Sequence, residues 1–94
     1  MNKRTKKYNE EFRAMKFLIL QRDNFRCLKC NDYTSSSELD VHHIIRRSTG
    51  GLNAPANLIT LCRMHHDEIH SMASEKGKLE CRNTLERFYG YNYF

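Results

Sequence analysis

The sequence predicts a small α+β fold, on three observations. Two short apolar runs, 38–45 and 58–61, are separated by a loop holding Gly50, Gly51 and Pro55, the pattern of a splayed antiparallel strand pair. A helical pattern follows from about 62 to 74. Two pairs spaced by two residues, Cys27-x-x-Cys30 and Cys62-x-x-His65, bracket the strands with the spacing of tetrahedral zinc ligands. One structural zinc on these four residues would staple both ends of the hairpin.

Ninety-four residues allow one domain. A chain this short has a thin core, which a structural metal commonly supplements. The expected division is a basic flexible tail over 1–8 and a single domain over 9–94. Lys3, Arg4, Lys6 and Lys7 lie in the tail; without them, the sixteen Lys and Arg fall to twelve, against eleven acids. A basic arm on a near-neutral body suits nucleic-acid phosphates, and it equally suits a solubilising tail. Asn9 is the expected N-cap of the first helix, with Glu10 and Glu11 in its first turn. That helix runs to about 22 and buries Phe12, Met15, Leu18 and Ile19. Residues 26–31 form a tight turn, and 31–37 are loop. Leu39, Val41 and Ile44 are the apolar positions of the first strand. Gly77 is expected to stop the second helix. A last helix spans about 78–88, with Leu79, Leu85 and Phe88 inward. The aromatic end over 89–94 has no assignment.

Composition excludes some classes. The apolar run near the start, Phe17-Leu18-Ile19-Leu20, is too short for a signal core or a membrane span. The expected location is therefore the cytoplasm, where thiols stay reduced. In that setting Cys27, Cys30 and Cys62 read as metal ligands rather than disulfide partners; a redox pair at Cys27 and Cys30 is the alternative. Cys81 has no nearby partner and is expected to be a free thiol.

A second group comprises Asp40, His42, His43, Asn57, His66 and His70. On a helix, His66 and His70 share one face, while Cys62 and His65 share another. One helix can thus serve two metals. His42 and His43 are consecutive on a strand, so pleating points them to different sides. One can ligate an ion while the other stays free as a base. A metal with three protein ligands keeps positions open for phosphate and water, and a neutral histidine beside it can take a proton from that water. A second zinc site without catalysis is the competing reading. Asp40 shares the strand face of His42 and either orients it or faces solvent.

These residues resemble the HNH endonuclease motif. The resemblance rests on Arg22-Asp23-x-x-x-Cys27-x-x-Cys30, then His42-His43-Ile44-Ile45, Gly50-Gly51, Asn57-Leu58 and Leu61-Cys62-x-x-His65-His66-x-x-x-His70. It covers about 18–72. It implies a ββα-metal (His-Me finger) core with flanking N- and C-terminal helices. It implies that His42, His66 and His70 hold a catalytic divalent metal and that His43 is the general base. Asn57 would brace the loop that keeps His43 in line, and Cys27, Cys30, Cys62 and His65 would hold structural zinc. The implied activity is nicking or double-strand cleavage of DNA, leaving 5′-phosphate and 3′-hydroxyl ends. Small members of this family are often phage-encoded. Two departures stand out. The fourth zinc ligand is usually Cys where this chain has His65, which opens competition from His66. The first active-site position is often Asp where this chain has His42. Three imidazoles favour nickel, zinc or manganese over magnesium.

Arg46 and Arg47 follow the first strand and are candidates for gripping phosphates; Arg63 is a weaker one. DNA is the expected partner, with no membrane. The residues leave open a homodimer, phage packaging partners and the cellular system. The alternative to a nuclease is a non-catalytic zinc-binding nucleic-acid module of the same fold. A cross-braced protein-interaction domain of the RING or LIM kind fits less well, because a single Cys pair precedes the histidines and nothing pairs with Cys81.

Overall fold

The computed structural model describes residues 2–30 and 38–93; the loop expected over 31–37 lies outside them. The chain runs α1 (Lys3–Arg22), β1 (Leu39–His43), β2 (Leu58–Cys62), α2 (Arg63–Ser71) and α3 (Ser74–Tyr89), with short 3₁₀ turns at Arg47–Thr49 and Pro55–Asn57. The strands are antiparallel and pair Leu39 with Cys62, Val41 with Thr60 and His43 with Leu58. β2 passes into α2 without a loop, so β1, β2 and α2 form a small α+β unit of the ββα kind with α1 and α3 on its flanks.

The first helix begins at Lys3, not after Asn9. Asn2 is its N-cap and accepts a hydrogen bond from the Thr5 amide at 2.8 Å. Residues 3–8, expected as a tail, are its first turns, and Lys3, Arg4, Lys6 and Lys7 are exposed there. Phe12, Met15, Ile19 and Leu20 pack inward with Val41 and Leu58. Leu18 is exposed, contrary to expectation, because the buried stripe continues through Leu20.

Every position of β2 is buried, while β1 buries only Val41. β2 lies between two apolar layers. Leu58 faces α1, whereas Ile59 and Leu61 join Leu28, Ile44, Ile69, Cys81 and Leu85. Each such aliphatic side chain contributes about 1.5–3 kcal/mol on full burial. The open edge of β2 is covered by the last residue of α1 and the chain that follows it. Arg22 donates to the Leu58 carbonyl at 2.8 Å and Asp23 accepts from the Thr60 amide at 3.1 Å. The Leu28 amide donates to the Thr60 carbonyl at 3.1 Å. An edge strand so covered presents few free groups to another chain.

α2 ends at Ser71, and Met72 leaves the helix in extended conformation. Gly77 is not the stop expected there; it sits buried within α3. A Cβ at Gly77 would meet the Ile69 carbonyl oxygen at 3.2 Å, so the glycine lets α3 pack closely on α2. The inward face of α3 is Gly77, Cys81, Thr84 and Leu85. Leu79 and Phe88, expected inward, are exposed because that face is centred on Cys81. The aromatic end also has a place. Tyr89 donates to the Asp23 carboxylate and lies under the Arg22 guanidinium, 4.7 Å from ring centre to cation. Tyr93 donates to the Ala56 carbonyl at 2.6 Å. Among the described residues no helix is long and apolar enough to cross a membrane.

Candidate metal centres and cleft

The first cluster joins the turn after α1 to the β2–α2 junction. Cys62 caps α2, its sulfur accepting from the His65 amide at 3.5 Å. His65 lies one turn on, and its Nδ1 is 3.4 Å from Cys27 Sγ, 3.5 Å from Cys30 Sγ and 3.2 Å from Cys62 Sγ. The Cys30 and Cys62 sulfurs are 3.8 Å apart. Bond lengths of zinc to sulfur and nitrogen give tetrahedral edges of about 3.8 Å between sulfurs and about 3.5 Å between sulfur and nitrogen. The four donors therefore fit one zinc ion. Their acidity agrees. Burial, then the thiols of Cys27 and Cys62, push the Cys30 thiol up to about 12. Burial also opposes ionisation of Cys62, yet the His65 amide and the neighbouring thiols bring it below its ordinary value. Sulfurs crowded in this way ionise together only around a cation. The competition expected between His65 and His66 does not arise, because His66 points to a different group.

That second group is His42 from β1 with His66 and His70 from α2, whose ligand atoms lie within 4.8 Å of one another. Four-residue spacing places His66 and His70 on one helix face, and their Nε2 atoms are 3.0 Å apart. Two nitrogens about 2.1 Å from one ion at a right angle would be about 3.0 Å apart, so this pair fits a shared cation. Asp40 does not orient His42. Its Oδ2 lies 3.2 Å from His66 Nδ1, where it accepts a hydrogen bond from the Nδ1–H tautomer and leaves Nε2 for a metal. The strand face shared by Asp40 and His42 abuts the first turns of α2, which is why the carboxylate reaches His66. Arg63, 3.8 Å from the same oxygen, is engaged with it rather than presented free. Burial first, then the nearby His66, His70, His43 and Arg46, lower the His42 pKa to about 4. His42 is therefore neutral at pH 7, as a metal ligand must be.

His43 leaves the strand toward α1. Its ring lies 4.7 Å from that of Phe12. Its Nε2 is 2.8 Å from Asn53 Oδ1 and 3.1 Å from the Tyr8 hydroxyl. Pleating separates the environments of the two histidines, but the splayed end of the hairpin opens both to one space. A cleft of about 380 Å³ is lined by Phe12, His42, His43, Arg46, His66 and His70, with Val41 and Arg47 completing it.

The Asn57 side chain bonds to the loop rather than to the His43 ring. Its Oδ1 accepts from the Ile45 amide at 2.8 Å, and its Nδ2 donates to the Ile45 and Leu52 carbonyls at 3.2 and 2.9 Å. It ties the chain just after β1 to the far side of the loop. Arg46 and Arg47 are both exposed at the cleft. Arg47 also donates to Asn9 at 2.7 Å and lies over Tyr8 at 4.3 Å, so α1 fixes its position. Tyr8 and Asn53 were absent from the sequence-derived site. Tyr8 fell in the expected tail, and Asn53 sits in a loop whose path no local pattern specifies. Cys81 is a buried free thiol that belongs to neither ligand group, pushed up to about 12 by burial.

No curated protein matches the chain significantly. The family model described as HNH endonuclease matches residues 26–72, half the chain, a stretch holding both strands, α2 and every Cys and His of the two clusters. The chain belongs to the HNH endonuclease family.

Proposed function

We propose that the protein is a metal-dependent DNA endonuclease. The observation that carries this reading is the common cleft: three imidazoles that fit one cation and a fourth histidine outside that set line the same space. Cys27, Cys30, Cys62 and His65 would hold structural zinc. His42, His66 and His70 would hold a divalent ion, with nickel, zinc or manganese favoured by the all-nitrogen donor set. When bound, that ion supplies Lewis-acid stabilisation of charge on phosphoryl and leaving oxygens.

The chain's own groups do the rest. His43 takes a proton from the attacking water, whose oxygen bonds to phosphorus as the bond to the 3′ oxygen breaks. The 3′ oxygen gains a proton from solvent, leaving 5′-phosphate and 3′-hydroxyl ends. Arg46 and Arg47 at the rim neutralise flanking phosphates. Exposed Lys3, Arg4, Lys6 and Lys7 extend that charge along α1, which supports the DNA partner and salt-sensitive binding. A site built on three thiols needs a reducing compartment, which supports the cytoplasm of a bacterial host.

The test is plasmid nicking with Mn, Ni, Mg, Zn or EDTA, comparing the natural chain with His43→Ala. Loss of the base is expected to slow cleavage by about 10²–10⁴-fold with both metal contents retained. Equal cleavage by the variant refutes the mechanism. Zinc-loaded protein that binds DNA but cuts it under no metal assigns the chain to the non-catalytic alternative.

A further inference from the structure

We propose that Tyr8 and Asn53 are positioning residues that hold the His43 ring in one tautomer, with Nε2 protonated and Nδ1 bare. The inference rests on the reading of His43 as the base, and it adds α1 to the working parts of the site. Tyr8 lies outside the segment that the family model covers.

The hydrogen-bond directions close on one answer. Asn53 Nδ2 donates to the Tyr8 carbonyl at 3.1 Å, which fixes the amide so that Oδ1 faces His43. The Tyr8 hydroxyl donates its hydrogen to the Gly51 carbonyl at 2.9 Å. Both oxygens near Nε2 are then acceptors, at 2.8 and 3.1 Å, so Nε2 carries the proton. A neutral imidazole has one N–H, which leaves the lone pair on Nδ1. Proton abstraction needs that lone pair, and a ring with the other tautomer would offer an N–H to the water instead.

The frame around the pair is closely packed. The Tyr8 ring stacks with His43 at 6.1 Å between centres, and Phe12 packs against it at 4.7 Å. Arg47 covers Tyr8 at 4.3 Å. Gly51, the acceptor for Tyr8, is itself pinned, its amide donating to the Arg46 carbonyl at 2.9 Å. The first turns of α1 and the inter-strand loop thus grip the base from outside the metal group.

The experiment uses the full, zinc-loaded chain with ¹⁵N-labelled histidine. Long-range ¹H–¹⁵N correlation reads the tautomer, with His43→Ala giving the assignment, and plasmid cleavage is measured alongside. The natural chain is expected to show His43 as the Nε2–H form. Asn53→Ala is expected to mix the tautomers and lower kcat by about 10- to 100-fold, with KM and zinc content unchanged. Asn53→Asp keeps the acceptor oxygen and is expected to restore the Nε2–H form. Tyr8→Phe keeps the ring and removes one acceptor; it carries the test if Asn53→Ala fails to fold, and a smaller shift in the same direction is expected. An Nδ1–H ring in the natural chain overturns the proposal. So does Asn53→Ala with an unchanged tautomer and rate. A natural chain that holds the Nε2–H form yet cuts no DNA supports the grip on the ring and overturns the nuclease reading.

Discussion

Asp23→Ala removes an acceptor shared by α1, β2 and α3. The Asp23 side chain is fully buried and receives the Arg22 guanidinium at 2.8 and 3.1 Å, the Thr60 amide and the Tyr89 hydroxyl. The substitution leaves a buried strand amide without a partner, a loss of about 1–3 kcal/mol. It also leaves a mostly buried cation unpaired, and breaking such a pair costs about 3–5 kcal/mol in total. Arg22 keeps its bonds to the Pro55 and Leu58 carbonyls, which points to the lower end, near 3 kcal/mol. Total stability in a domain of this size is about 5–15 kcal/mol, so the change is large but measurable. It corresponds to a fall in Tm of roughly 12–24 °C. The assay is urea and thermal unfolding at saturating zinc, because zinc linkage otherwise shifts both midpoints. Arg22→Met leaves the buried carboxylate with the Thr60 amide and the Tyr89 hydroxyl but without its cation, and is expected to lose as much. The double variant Arg22→Met with Asp23→Leu is expected to lose less than the two single losses together. A loss below about 1 kcal/mol for Asp23→Ala, or strict additivity, refutes the edge-clamp account.

Three further predictions follow from the same geometry. With zinc bound, none of the four thiols is expected to react with iodoacetamide at pH 8; chelation should release Cys27, Cys30 and Cys62, while Cys81 reacts only on global unfolding because burial holds its pKa near 12. Mass mapping of the labelled peptides checks this, and early labelling of Cys81 in folded protein contradicts it. Gly51→Ala places a Cβ 1.8 Å from the Ile45 carbonyl oxygen, which is backbone and has no alternative rotamer. The loop must shift, lowering stability by about 1–3 kcal/mol and slowing cleavage; a variant matching the natural chain in urea midpoint and rate argues against the loop's role. His42, lowered from 6.5 to about 4 chiefly by burial, is expected to stay neutral at pH 5.5 in protein carrying structural zinc alone. Its neutral form contributes stability that is complete above pH 6.5 and fades as pH falls toward 4, since the unfolded chain then binds the proton first. An NMR titration midpoint at or above 6.5 would contradict this.

Much of this protein was legible in the sequence, because its chemistry is carried by spacing. Cys27 and Cys30 are separated as a tight turn requires. Cys62 and His65 are separated as a helix start requires, and His66 and His70 as one helix face requires. Local backbone geometry brings each pair together without help from the rest of the fold. Two apolar runs around a Gly- and Pro-containing loop likewise announce a hairpin, and the structure has one. What local geometry does not contain is the meeting of distant segments. Arg22 and Asp23 have no role that local spacing reveals; they cover the edge of β2. The sequence leaves Asp40 either orienting His42 or facing solvent, whereas the packing of α2 on β1 gives it His66. Residues 3–8 looked like a solvated tail by charge, yet Tyr8 anchors them to Gly51, forty-three positions away. Gly77 looked like a stop and instead allows two helices to touch. Spacing along the chain sets which ligands can share an ion, because a few residues of regular backbone fix those distances. Which groups surround His43 was decided only by tertiary packing, since contacts between α1, the inter-strand loop and β1 depend on how the whole core closes.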